Sequence, residues 1–103
     1  ASFTVQNSFR NSGQVCVSTE RTYVADAVAE EFENLVVEKT KEWKQGDPTD
    51  ENVRIGPMVS SIQRDIVLDQ LEQALKDGAV LRCGGETHEN FIQPIIKMTT
   101  AIA

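Results

Sequence analysis

The chain has 103 residues, 40% of them hydrophobic and 25% charged, with a formal net charge of -6 and a sequence pI near 4.7. A chain of this size is one domain at most with a modest core, and so ordinary a composition excludes disorder as the native condition. The acidic balance argues against nucleic acid or an anionic membrane surface as partner, and no run approaches the roughly 18 apolar residues of a membrane-spanning helix.

The N-terminus, Ala1-Ser2-Phe3-Thr4-Val5, lacks the basic start and long apolar stretch of a secretion signal. Two cysteines, Cys16 and Cys83, are too few for a disulfide framework. They fit free thiols in a reducing, cytoplasmic setting, with a single bridge between them left open. The acids are spread over helical segments, which reads as a solubilising surface rather than a binding tail.

In chain order, an irregular N-terminal stretch leads to a turn containing Asn11 and Gly13. Val15–Val24, rich in Val, Thr and Tyr, is expected to be a strand. Asp26 is a candidate N-cap for a helix over Asp26–Trp43, in which Val28, Phe32, Leu35, Val36 and Trp43 fall close to one face. Gly46 and Pro48 stop it, and residues 46–59 form a connector with turn chemistry at both ends.

Ser60 and Gln63 have the spacing of a capping box. Ile62, Ile66, Val67, Leu71, Ala74 and Leu75 supply the apolar face of the helix that follows, which Gly78 ends. Ala79–Cys83 reads as a short buried strand closed by Gly84-Gly85, residues 86–90 as a polar turn, and Phe91–Met98 as a last strand. Pro94 inside that run places it at a sheet edge. The order β-α-α-β-β predicts an α/β fold: an open sheet of the three-layer type with helices packed on it.

Chemistry is expected first at Cys16. A free cysteine is often no more than a small buried hydrophobe. This one ends a Gly- and Asn-containing turn at the entrance of the expected strand, where a thiol can be presented to a cleft. Gly13 allows the sharp bend, and Asn11 and Gln14 can brace its backbone. A nucleophilic role needs the thiolate, hence a lowered pKa or a nearby base.

Cys83 reads as core filling at a strand end, and the lone His88 as a solvated turn residue. The spacing of Cys83, Glu86, His88 and Glu89 does not support a metal site. Asp47, Asp50 and Glu51 read as turn and cap residues, and Gly84-Gly85 is too short for a phosphate loop.

The run Asn11-Ser12-Gly13-Gln14-Val15-Cys16, with Arg21-Thr22-Tyr23-Val24 after it, resembles the nucleophile segment of the aldehyde dehydrogenase family. The likeness continues through Trp43-Lys44-Gln45-Gly46-Asp47-Pro48, Ile55-Gly56-Pro57-Met58-Val59, Asp77-Gly78-Ala79 to Gly84-Gly85, and Phe91-Ile92-Gln93-Pro94. Nearly the whole chain is covered, in order. Ile95 stands where the family has Thr, the connector at residues 86–90 is shorter than usual, and the tail Lys97–Ala103 stops before a downstream family motif.

The resemblance implies that residues 1–103 are part of an aldehyde dehydrogenase catalytic domain. The nucleotide-binding domain, general-base glutamate and oxyanion-binding asparagine of the family lie upstream of the matching segment. It implies Cys16 as nucleophile and oxyanion backbone donor, Val15 and Val17 as walls of the acyl pocket, and Asn11, Gly13 and Gln14 as support of the motif. Gln63 matches a residue that touches the nicotinamide-side ribose in some members; Ile66 stands where those members carry a basic residue. The implied cofactor is NAD or NADP, the substrate an aldehyde, and the full-length protein a cytoplasmic homo-oligomer.

Two other functions stay open on the residues alone. One is a non-catalytic α/β module kept for protein association; the other is a stand-alone thiol acyl-enzyme hydrolase with His88 as base.

Overall fold

The computed structural model describes residues 1–99, which group into two compact units, the first Ala1–Gly56 and the second beginning at Pro57. Of the tail Lys97–Ala103, the last four residues lie outside the described part.

The first unit opens with helix α1, Ser2–Phe9, where an irregular stretch was expected. Its residues have little intrinsic helix preference, but Val5 is only 1% exposed, and burial of an apolar face outweighs propensity in short helices. A 3-10 segment, Arg10–Gly13, follows directly. Helix α2, Asp26–Lys41, matches the expected helix closely. Its N-cap, however, is Ala25 without a side-chain bond, and Asp26 sits in the first turn, where its charge still suits the helix dipole.

The inner stripe of α2 also differs from expectation. It runs through Ala29, Phe32, Val36 and Thr40, and leaves Val28 and Leu35 exposed. At about 100° per residue, a stripe displaced by one position turns its neighbours out to solvent. α1 packs on α2, and the buried side chains of this unit are Val5, Val36, Thr40 and Ile55. The Thr40 hydroxyl donates to the Val36 carbonyl at 2.7 Å, so its burial leaves no polar group unpaired. The Trp43 ring lies 6.5 Å from the tilted Phe9 ring, and the Arg54 guanidinium sits over it, 5.4 Å from its centroid.

Val15–Val24 is not a strand. Val15 to Val17 form a turn, residues 18–25 have no regular structure, and among the described residues no strand pairs with them. β-branched composition favours extended backbone, but a strand needs a ladder partner. Here Ser18 N–H donates back to Val15 O and Thr19 N–H to Asn7 O.

In the second unit, Ser60 caps helix α3, Ser61–Lys76, by accepting from the Gln63 N–H at 3.1 Å. The side of α3 turned inward carries Val67, Leu68, Leu71 and Ala74, while Ile62, Ile66 and Leu75 are exposed. Gly78, with φ +99°, closes the helix where the sequence placed its end.

Four short strands follow: β1 Val80–Cys83, β2 Thr87–His88, β3 Phe91–Ile92 and β4 Ile96–Met98. They form two antiparallel pairs, β1 with β4 and β2 with β3. β1 is largely exposed instead of buried, because its pairing is a two-stranded ribbon. The turn expected at residues 86–90 contains β2, and the last expected strand is divided at residues 93–95.

Pro94 has no N–H for a ladder and splits the run. Gly85 N–H to Gln93 O at 3.3 Å and Gln93 N–H to Glu86 O at 2.9 Å hold the divided segment. Gly84, at φ +84°, lies so close that a Cβ there would run into the Pro94 carbonyl. The element order is therefore helix, 3-10 turn, two helices and four short strands, within an α/β arrangement.

Candidate active site

The cysteine turn is built by three successive left-handed residues: Asn11 (φ 51°), Ser12 (φ 58°) and Gly13 (φ 74°). Left-handed backbone costs a side-chain-bearing residue roughly 1–2 kcal/mol, least for Asn and nothing for Gly. At Gly13 a Cβ would also press to 3.2 Å from the Ser8 carbonyl oxygen, a tight contact that adds to the conformational preference for glycine.

Hydrogen bonds offset the strain. The Asn11 carbonyl accepts from the Gln14 backbone N–H at 3.0 Å and from Gln14 Nε2 at 3.1 Å, and Asn11 Nδ2 donates to the Gln14 carbonyl at 3.3 Å. Ser12 Oγ donates to the Gly56 carbonyl at 2.8 Å. Ser18 Oγ lies 3.3 Å from both the Asn7 and Ser8 carbonyls at the end of α1.

Cys16 stands at the crest of this turn, exposed and free of any disulfide. Its neighbour Val15 is half-buried, whereas Val17 is exposed. Among the described residues, nothing accepts from the Cys16 backbone N–H. The arrangement offers a thiol on a braced turn with a backbone donor beside it.

Gln63 belongs to the second unit, half-buried in the first turn of α3. Cys83 is a half-buried thiol outside any disulfide at the end of β1, and His88 is exposed in β2. Among the described residues, no group of three or more His, Cys, Asp or Glu is placed to hold a metal ion, and no helix is long and apolar enough to cross a membrane.

Three contributors were not anticipated from sequence: Ser12, Ser18 and helix α1. The Asn-Ser-Gly tripeptide did carry a signal, since Asn and Gly favour the left-handed region.

The aldehyde dehydrogenase family model matches residues 1–101, and the chain belongs to that family. It is 37% identical over 97 residues to a lactaldehyde dehydrogenase of Methanococcus aeolicus, covering 94% of this chain and 21% of the relative. It is 35% identical to a rat cytosolic aldehyde dehydrogenase, covering 91% of this chain and 19% of that one.

Among solved structures, glyceraldehyde-3-phosphate dehydrogenase GapN from Methanocaldococcus jannaschii, complexed with NADP, superposes with a TM-score of 0.89 at 31% identity, over 91% of this chain and 21% of that one. Succinate-semialdehyde dehydrogenase from Burkholderia pseudomallei gives 0.88 at 27% identity, over 93% and 21%. The chain thus spans about a fifth of the length of the relatives it matches. The α/β class expected from the sequence stands on these superpositions.

Proposed function

We propose that this chain is the nucleophile-bearing segment of an NAD(P)-dependent aldehyde dehydrogenase. The Cys16 thiolate adds to the aldehyde carbon, and the carbonyl oxygen takes up negative charge as a thiohemiacetal forms. The Cys16 backbone N–H donates to that oxygen; an oxyanion donor of this kind contributes about 3 kcal/mol to the transition state. Bound NAD or NADP supplies the hydride acceptor. Loss of hydride leaves a thioester on Cys16, and attack by water releases the carboxylic acid and regenerates the thiol.

Val15 and Val17 form an apolar wall for the substrate tail. Gln63 is this chain's own contribution toward the cofactor, its amide suited to a ribose hydroxyl. The rest of the dinucleotide site belongs to segments that the relatives carry beyond the matched fifth. The full-length protein works as a homo-oligomer in the cytosol.

The observation that supports this reading is the exposed Cys16 on a turn braced by Asn11 and Gln14, within a family match that runs along the chain. Positioning of cofactor, base and substrate supplies much of such catalysis, so the 103 residues alone form no NADH or NADPH from aldehydes. The test is to exchange this chain for the matching segment of the Methanococcus lactaldehyde dehydrogenase. The chimera is expected to oxidise aldehyde with formation of reduced cofactor, and to lose that activity with Cys16→Ala. Activity that survives Cys16→Ala overturns the assignment.

A second reading, association with another polypeptide, is favoured by the exposed large apolar side chains, among them Phe3, Val17 and Tyr23 in the first unit and Val59, Ile62 and Val80 in the second. Light scattering across a concentration series is expected to show growth in size; a monomer at every concentration removes this reading.

A further inference from the structure

We infer that Ser12 is a positioning residue for the cysteine turn, acting through its hydrogen bond to the Gly56 carbonyl. Its meaning for catalysis rests on the reading of Cys16 as nucleophile; the tether itself does not.

Ser12 pays for a left-handed backbone, φ 58°, that a serine adopts rarely. Such conformations persist where the surroundings over-determine them. The half-buried hydroxyl reaches across 44 residues of sequence to Gly56 O at 2.8 Å, a good length for an O–H donor. The bonds between Asn11 and Gln14 are local and fix only the shape of the turn.

The Ser12 bond does something else. It ties the turn to the segment following Ile55, whose side chain is 2% exposed and whose carbonyl accepts from the Gly46 N–H at 3.1 Å. The turn carrying Cys16 is thereby referred to the buried part of its own unit, and the thiol is held at a set place relative to that core.

The test is ¹⁵N relaxation on the 103-residue chain, on Ser12→Gly, which leaves the left-handed backbone unstrained but removes both Cβ and hydroxyl, and on Ser12→Ala, which removes the hydroxyl alone and so controls for the flexibility of glycine. In the unsubstituted chain the Cys16 amide is expected to have an order parameter near that of rigid backbone, about 0.85. In both variants it is expected to fall below about 0.6, with a shift of the Gly56 carbonyl ¹³C resonance, while Val36 in α2 stays rigid.

The inference is overturned if Cys16 is already below about 0.6 in the unsubstituted chain, if it stays rigid in Ser12→Gly or in Ser12→Ala, or if Val36 loosens with it. No aldehyde or cofactor enters this measurement. Failure of the proposed oxidation chemistry and failure of the tether are therefore read separately.

Discussion

Asn11 and Gln14 clasp each other across the cysteine turn, one carbonyl taking two N–H groups of Gln14 and one amide returning a bond at 3.3 Å. Gln14→Ala removes an exposed bond and is expected to cost about 1 kcal/mol or less. Asn11→Ala loses a bond and also forces alanine into left-handed backbone, for about 2 kcal/mol. Asn11→Gly is expected to recover roughly half of that loss, since glycine accepts the conformation. Urea unfolding of the three variants gives the order, and an Asn11→Gly no better than Asn11→Ala counts against a conformational demand at this position.

Gly84 faces the Pro94 carbonyl with no room for a side chain. Gly84→Ala must push the backbone of residues 93–94 away and break the β1–β4 register at its bulge between Leu81 and Cys83. The expected cost exceeds about 4 kcal/mol, in the range reserved for backbone collisions. Amide exchange at Val80 and Leu81 should accelerate; unchanged protection there would mean the ribbon absorbs the methyl group.

Arg64 donates to the Glu89 carbonyl at 2.7 Å and to Asp65 Oδ1 at 2.8 and 2.9 Å, pinning the β2–β3 turn to α3. Glu89 is itself left-handed, φ 52°, and the next carbonyl, Asn90 O, accepts from Met58 N–H at 2.7 Å. Arg64→Ala is expected to destabilise by about 1 kcal/mol, part of the charged bond being lost to solvent competition. Arg64→Lys should restore little, because an ammonium cannot address both partners with a planar fork. The amide exchange of Phe91 and Ile92 reports the loss.

Asp47 accepts from the Thr49 backbone N–H at 2.9 Å and the Thr49 hydroxyl at 2.7 Å, and these bonds hold its carboxyl below the ordinary value. Because the folded pKa is the lower one, the unfolded chain binds more protons in the interval between the two. The contribution to stability is complete above the unfolded value and disappears as pH falls through the folded one. Asp47→Asn keeps an acceptor but no titration, so its acid-unfolding curve should lack that contribution. A ¹³C carboxyl titration of Asp47 at or above its ordinary value would refute the assignment.

The two long helices were legible because stop signals and caps are local: Ser60 before α3, Gly78 after it, and Gly46 and Pro48 beyond α2. Helix α1 was not, because a burial at Val5 decides it and nothing in the Ser-Phe-Thr-Val run announces that. Val15–Val24 misled for the converse reason: strand composition is local, while strand formation needs a partner elsewhere. At the site, the residues bracing Cys16 from within the turn could be named from sequence. The Ser12 bond could not, since its acceptor is a carbonyl 44 residues away and carbonyls leave no trace in residue type.

Residues 18–25 run without regular structure between the turn and α2, and Arg21 among them is exposed. A trypsin-like protease needs backbone it can draw out straight, and this stretch offers it next to a basic side chain. A single nick there would sever the covalent route from the thiol to α2. The Ser12–Gly56 bond, the Phe9–Trp43 ring contact and the packing of α1, with its buried Val5, on α2 would then be left to keep the two pieces together as a split protein.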